Sequence, residues 1–292
     1  MHSFTIKDLQ NLSGIKAHTI RIWEQRYSFL KPGRTTTNIR YYSNDELKTI
    51  LNVALLNKFG FKISYIDKMN PAEMREKILT LNYQEAQVER IVHSLIQHMV
   101  DLDMESFENV IDDHIRSRGM EKTITQVIFP YLEKIGILWL TNHISPAQEH
   151  LVANIIRQKL IVGIENVHSS IQVDKTVLLF LPEGEYHELA LLFINYMLKS
   201  KGVKTIYLGC SIPLHDVAYL VKLKKPDYLY THLTTSGAKF NFDKFITGVG
   251  KHFLDSTIII SGLLANTYQK NTSPSIKLKR SYAEVMEFIS GL

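Results

Sequence analysis

Residues 18–42 constrain this chain more than any other stretch. They read His-Thr-Ile-Arg-Ile-Trp-Glu-Gln-Arg-Tyr, then Pro32 and Arg34, then Asn38-Ile39-Arg40-Tyr41-Tyr42-Ser43. A helix from about Ala17 to Tyr27 puts Ile20 and Trp23 on one face with Tyr27 a turn further on, and leaves Arg21 and Arg26 pointing elsewhere. Upstream, Phe4, Ile6, Leu9, Leu12 and Ile15 supply the apolar side of a first helix, and Ser13-Gly14 makes the turn between the two. Lys31-Pro32-Gly33-Arg34 breaks the chain, and Arg34 to Tyr42 is a short basic excursion. Ser43-Asn44-Asp45-Glu46 then caps a third helix. Two short helices followed by a basic wing are the parts that seat a helix in the major groove of a duplex.

Charge follows the same division. Residues 1–75 carry a net +6, residues 76–165 a net −5 and residues 166–292 a net +4. A merely solvated face needs no such concentration, whereas binding by counterion release does. The C-terminal surplus reads as scattered along lysine-bearing helices. The wording Ile20-Arg21-Ile22-Trp23-Glu24-Gln25-Arg26-Tyr27, followed by the wing, resembles the winged helix-turn-helix of the MerR family of transcription regulators. With Trp23 where many relatives have Tyr, it is most similar to the cobalamin-binding CarH/LitR branch. Phe59-Gly60-Phe61-Lys62-Ile63-Ser64-Tyr65-Ile66 resembles that family's second helix pair. The resemblance implies that double-stranded DNA is the partner. Lys16, His18, Thr19, Arg21 and Arg26 are then candidate base or phosphate contacts, and Arg34, Arg40 and Tyr41 candidate backbone contacts on the wing.

With 292 residues the chain is long enough for two or three domains with real cores. No apolar run approaches a membrane span, and Met1-His2-Ser3-Phe4 has no signal-peptide layout, so a cytoplasmic protein without membrane contact is expected. The single cysteine, Cys210, excludes an intramolecular disulfide framework and weighs against soft-metal sensing. Lying in a Gly209-to-Pro213 loop after an apolar strand, it reads as a packing residue. The twelve histidines show no spacing for zinc.

Met69-Asn70-Pro71-Ala72-Glu73 closes the first part, with Asn70 as cap and Pro71 as a helix start. Residues 167–174 form a polar linker. Between them, Ile91-Leu95-Met99, Phe107-Val110-Ile111-His114 and Ile124-Ile128 recur at helical spacing and predict a bundle of about four helices. After residue 174, the runs 177–181, 205–208, 228–233, 257–260 and a weaker one near 276–278 alternate with amphipathic helices. That alternation predicts a doubly wound, Rossmann-like parallel sheet in flavodoxin-like order. The expected domains are a winged helix-turn-helix at 1–75, otherwise all α; a four-helix bundle at 76–168; and the α/β domain at 174–292.

In such a sheet, ligands bind beyond the carboxyl ends of the strands. The loop after the first strand reads Pro182-Glu183-Gly184-Glu185-Tyr186-His187-Glu188-Leu189-Ala190, which resembles the family's cobalamin motif, Glu/Asp-x-His-x-x-Gly. The resemblance implies that His187 is the cobalt ligand and that Glu185 accepts its other ring proton. Thr231-His232-Leu233 stands at the family's Ser/Thr-x-Leu element and Ser261-Gly262 at its Gly-Gly pair, implying that Thr231, Leu233, Ser261 and Gly262 line the groove for the nucleotide tail. The bundle carries the family's Trp-x9-Glu-His spacing as Trp139 and Glu149-His150, which implies cover for the upper face and adenosyl group of adenosylcobalamin. Ser145-Pro146-Ala147-Gln148 seats Glu149 and His150 in the first turns of a helix.

The chain departs from the pattern at three places. Ala190 and Ser261 stand where the family has glycine, and Leu140 stands where light-sensing members place a second histidine, with His143 near in sequence. The reading that results is a cytoplasmic transcription regulator, expected as a repressor and a dimer or tetramer. Cobalamin between bundle and Rossmann domain would fix the oligomer able to grip DNA, with light as a further input through the cobalt–carbon bond. The alternative is a sensor domain that has lost the cofactor and serves as an oligomerisation or protein-interaction module. An enzyme delivering methylcobalamin is not expected, because no acid/base or nucleophile constellation stands beside the site.

Overall fold

The computed structural model describes residues 4–81, 84–140, 144–234, 240–253 and 256–292, leaving aside the side chains of residues 84 and 137–140. The chain forms two compact units, Met1–Ile155 and Ile156–Leu292.

The first unit begins with α1 (Ile6–Ser13) and α2 (Ala17–Arg26), followed by the two-residue strands β1 (Gly33–Arg34) and β2 (Arg40–Tyr41), α3 (Asn44–Lys58), α4 (Ile63–Ile66) and α5 (Pro71–Leu79). Local chemistry sets these limits. Thr5 with Asp8, Ser43 with Glu46 and Asn70 with Glu73 each form a reciprocal capping box at a helix start. Gly14 ends α1 in the left-handed conformation (φ 74°), which only a residue without Cβ adopts cheaply. β1 and β2 pair antiparallel as the wing, and Asn38 turns it at φ 63°.

The bundle follows as α6 (Gln84–Asp101), α7 (Met104–Arg118), α8 (Met120–Lys122), a π-helical turn (Thr123–Ile128), α9 (Phe129–Leu140) and α10 (Pro146–Asn166). Leu95, Met99, Phe107, Ile111, Ile124, Ile128 and Tyr131 are all buried, as the periodicity requires. The π turn is a departure from it. Ile124 and Ile128 have ordinary α spacing, but Phe129 N–H reaches back to the Ile124 carbonyl, five residues earlier. The wide turn lies just before Pro130, which has no N–H to donate and conflicts with the carbonyl four residues back in a regular helix. Head and bundle share one core region, with α1 packed on α9 and α3 on α6. Ion pairs Lys48–Asp101 and Lys58–Glu89, both 2.6 Å, cross the same junction.

The second unit holds the later part of α10 and then β3 (Val173–Pro182), α11 (Leu189–Ser200), β4 (Val203–Ile212), α12 (Leu214–Lys224), β5 (Tyr228–His232), α13 (Phe242–His252), β6 (Thr257–Ser261), α14 (Leu263–Thr267), β7 (Ile276–Lys279) and α15 (Tyr282–Ser290). All sheet pairings are parallel, in the order β4-β3-β5-β6-β7. This is the flavodoxin-like order, and its switch point lies where β3 is flanked by β4 and β5. Val177 to Pro182 are buried without a break, as a strand covered on both faces should be. Two sequence expectations are corrected. Cys210 lies within β4 and is half-buried, because that strand continues through irregular pairing to Ile212. The C-terminal basic surplus is not confined to helices: Lys277 and Lys279 sit on β7, an edge strand that charge protects from pairing with another chain.

His93, on α6, is 2% exposed, and neither ring nitrogen has a hydrogen-bond partner among the described residues. Burial first, then Lys134 and Lys58, hold its pKa down at about 3. The unfolded chain takes up this proton near pH 6.5, the folded chain only near pH 3. Stability is therefore intact above about pH 6.5 and falls as pH drops towards 3, by on the order of 5 kcal/mol. A His93→Leu variant is expected to gain about 1–3 kcal/mol at pH 7 and to flatten this acid loss, measured by urea unfolding at a series of pH values.

Candidate functional site

Two regions gather the residues singled out by sequence, one in each unit. On the head, α2 buries Ile20 and Trp23 and turns Lys16, His18, Arg21 and Arg26 to solvent, with Thr19 half-buried. The start of α2 is held by α1, since the Gln10 side-chain oxygen accepts the Ala17 N–H at 2.8 Å. Arg34 and Tyr41 are exposed on the wing, and Arg34 donates to the Asn38 side chain at 2.7 Å.

Arg40 is placed differently from the rest. Its Nε donates to Glu24 on α2 at 2.8 Å, while the Tyr42 hydroxyl donates to the other oxygen of the same carboxylate. Glu24 is only 7% exposed at its side chain, so both donors serve a charge removed from water. Burial, and then the bond to Glu24, raise the Tyr42 pKa far above the usual phenol value. Arg40 thus ties the wing to the recognition helix, which leaves Lys16, His18, Arg21, Arg26 and Arg34 as the outward cationic and imidazole groups. Sequence reading missed Glu24 and Tyr42. The only available signal was a lone acid inside an otherwise basic helix.

In the second unit, the loop after β3 lies at the switch point of the sheet. Glu185 is buried, and its Oε1 accepts both the His187 backbone N–H at 2.9 Å and the ring Nδ1–H at 2.6 Å. Backbone bonds hold the loop itself: Glu185 N–H donates to Pro182 O, and Ser211 N–H donates to Glu185 O. With the proton on Nδ1, the imidazole lone pair is on Nε2, in a side chain 45% exposed. Glu188, the N-cap of α11, accepts from the Tyr207 hydroxyl at 2.9 Å and lies 3.8 Å from Arg157 Nε. Ala190 sits in the first turn of α11, where no positive φ is required, so the missing glycine costs the backbone nothing.

The ends of β5 and β6 meet beside this loop. Thr231 is fully buried, and its hydroxyl has no hydrogen-bond partner among the described residues. Leu233 is buried in the core between the sheet and α12 and α13. Gly262 has φ 97°, and a Cβ there would fall 2.3 Å from the Leu233 carbonyl oxygen, so glycine is obligatory. Ser261 points to the other sheet face, where its Oγ bonds the Tyr230 hydroxyl at 2.7 Å and His232 Nδ1 at 2.8 Å. Burial holds His232 down at about 4, against the opposing pull of the Glu185 charge. His232 therefore stays neutral beside Glu185. Sequence motifs named its neighbours and passed over it. Glu149 is half-buried and His150 exposed, both in the first turn of α10 behind a Ser145–Gln148 capping box. Trp139 and Leu140 belong to α9, but their side chains, like all of His143, lie outside the described residues.

Comparison with known proteins bears on the head, the bundle and the fold of the sheet. Residues 4–73 match the MerR HTH family of regulatory proteins, and residues 91–162 match the B12 binding domain. The HTH-type transcriptional repressor CarH of Myxococcus xanthus is 26% identical over 251 residues, covering 84% of this chain and 83% of its own length. The repressor CarA of the same organism is 25% identical over 285 residues, covering 97% and 93%. Among solved structures, the monomethylamine corrinoid protein of Methanosarcina barkeri superposes with a TM-score of 0.51 over 70% of this chain and 99% of that one, at 11% identity, which shows a shared fold. A MerR-type head followed by a B12-binding fold defines a class of DNA-binding protein that carries its own sensor. Residues 4–73 and 91–162 carry the two parts of that class, and over most of its length this chain is similar to the repressors CarH and CarA.

Gly262→Ala is expected to destabilise the second unit by about 2 kcal/mol or more, since both φ and the Leu233 carbonyl oppose a Cβ. Urea unfolding, followed by tyrosine fluorescence and far-UV circular dichroism, measures the change.

Proposed function

We propose that this chain is a cytoplasmic transcriptional regulator that represses by binding operator DNA through α2 and the wing, and that adenosylcobalamin sets its oligomeric state and so its grip. The observation that carries the reading is the Glu185–His187 pair at the switch point of a corrinoid-type sheet, on a chain whose head is of the MerR type. The residues present fit the cofactor. Thr231 offers a buried hydroxyl that has no hydrogen-bond partner among the described residues. When bound, the cofactor would supply a cobalt centre able to accept an imidazole nitrogen, which His187 would provide. Glu185 holds the proton on Nδ1 and so aims the His187 Nε2 lone pair outward. Thr231 is assigned to donate to an acceptor on the tail. Trp139, Glu149 and His150 are assigned to cofactor binding on their spacing alone.

One observation favours a second reading. Ser261 is already bonded on both sides, to Tyr230 and His232, and fills space that glycine would leave open. A sensor unit closed in this way would act as an oligomerisation module without cofactor. We do not assign an enzymatic activity.

Protein incubated with adenosylcobalamin in the dark and then desalted distinguishes the two readings by its visible spectrum. Retained colour that is lost or spectrally altered in His187→Ala is the expected result. Colourless wild-type protein that still binds DNA would establish the cofactor-free reading instead. In the DNA arm, Arg21→Ala and Arg26→Ala are each expected to reduce the slope of log affinity against log salt by about 1, read by fluorescence anisotropy.

A further inference from the structure

A charged group that neither region uses is half-buried where the head meets the bundle. Lys134, on α9, donates from Nζ to the Leu12 carbonyl oxygen at 2.8 Å, across 122 positions of sequence. Leu12 lies in the last turn of α1, where carbonyls have no intrahelical partner and the helix dipole favours a cation. α1 has no basic residue of its own in that turn. The neighbouring carbonyls are met locally, Gln10 O by Gly14 N–H and Leu9 O by the Ser13 hydroxyl. The cation that completes the cap therefore comes from the bundle.

Keeping a charge there is costly. Burial lowers the Lys134 pKa, Glu89 opposes that shift, and Lys58 adds to it, although Lys58 is itself ion-paired with Glu89. Lys134, Val92, Gln126 and Pro130 line an open groove of about 430 Å³ at this point. What the ammonium does have is position. Leu12 stands two residues before the Gly14 turn, and Gln10, in the same turn of α1, caps the start of α2. A displacement of α9 is therefore transmitted to the origin of the helix that bears His18, Arg21 and Arg26.

We propose that Lys134 is a positioning residue for the recognition helix: through its bond to the Leu12 carbonyl, bundle helix α9 sets the pose in which α2 meets DNA. This rests on the DNA-binding reading of α2, but its test does not depend on it. Hydrogen exchange on the full chain without cofactor would compare wild type with Lys134→Met and Lys134→Arg. The Met variant is expected to raise exchange on the order of tenfold at the Gly14-to-Ile20 amides while α7 and the parallel sheet keep wild-type protection. Arg, which keeps the charge, should restore the turn. A parallel arm uses a labelled duplex selected by the wild-type chain from a random-sequence pool. Lys134→Met should bind it on the order of fivefold more weakly, with melting temperature changed far less. Wild-type exchange at the turn in the Met variant would overturn the proposal. So would loosening spread equally over α7, which would make Lys134 a support of the bundle only. A wild-type chain that selects no duplex would count against the DNA-binding reading, and the exchange arm alone would then decide the positioning role.

Discussion

A carboxylate taken out of water costs several kcal/mol unless donors surround it, and both candidate regions of this chain are organised by that demand. Glu185 is 3% exposed and gathers the ring and backbone of His187 at the switch point of the sheet. Glu24 is 7% exposed and gathers Arg40 from the wing and Tyr42 from beyond it. In each case a buried acid fixes the direction of a group that must face outward: Nε2 of His187 in one unit, the exposed face of α2 in the other. Removing either acid would leave its donors in place and their orientation undetermined.

The sheet supplies the second constraint. Strand order β4-β3-β5-β6-β7 brings the ends of β3 and β5 side by side, so Thr231 at the end of β5 neighbours the strand that leads into Glu185 and His187, although it is distant from them in the chain. Parallel pairing of β5 with β6 sets Ser261 opposite His232, which builds the Tyr230–Ser261–His232 chain on one face. Thr231 and Leu233 fall to the other side by the alternation of a strand. One end of the sheet therefore presents two chemistries: a satisfied polar chain on one face, and on the other a buried hydroxyl without a hydrogen-bond partner among the described residues.

The head is not an independent appendage. α1 packs on α9 and α3 on α6, with Lys48–Asp101, Lys58–Glu89 and the Lys134 bond crossing the junction. Polar links of this kind are sensitive to small displacements, because each loses its partner over about an ångström, whereas an apolar contact of the same area slides. The bundle helices thus touch α1, whose Gln10 caps the start of α2.

Much of this was legible in the sequence, wherever the determining interaction is local. The capping boxes at Ser43, Asn70 and Ser145, the turn at Gly14, the apolar stripe of α2 and the five strand runs each depend on residues within a few positions of one another. So does the pairing of Glu185 with His187, two residues apart. What only the tertiary structure decided depends on partners far apart in the chain. These are the capture of Arg40 by Glu24, the continuation of β4 through Cys210, the lysines at the sheet edge, the burial of His93 and the reach of Lys134 to Leu12. The π turn before Pro130 belongs with them, since α and π spacing differ by one residue and the apolar pattern tolerates both. Sequence periodicity reports which face of an element is buried. It carries no information on which distant group will meet a given carbonyl or carboxylate, because that is set by packing after the elements have formed.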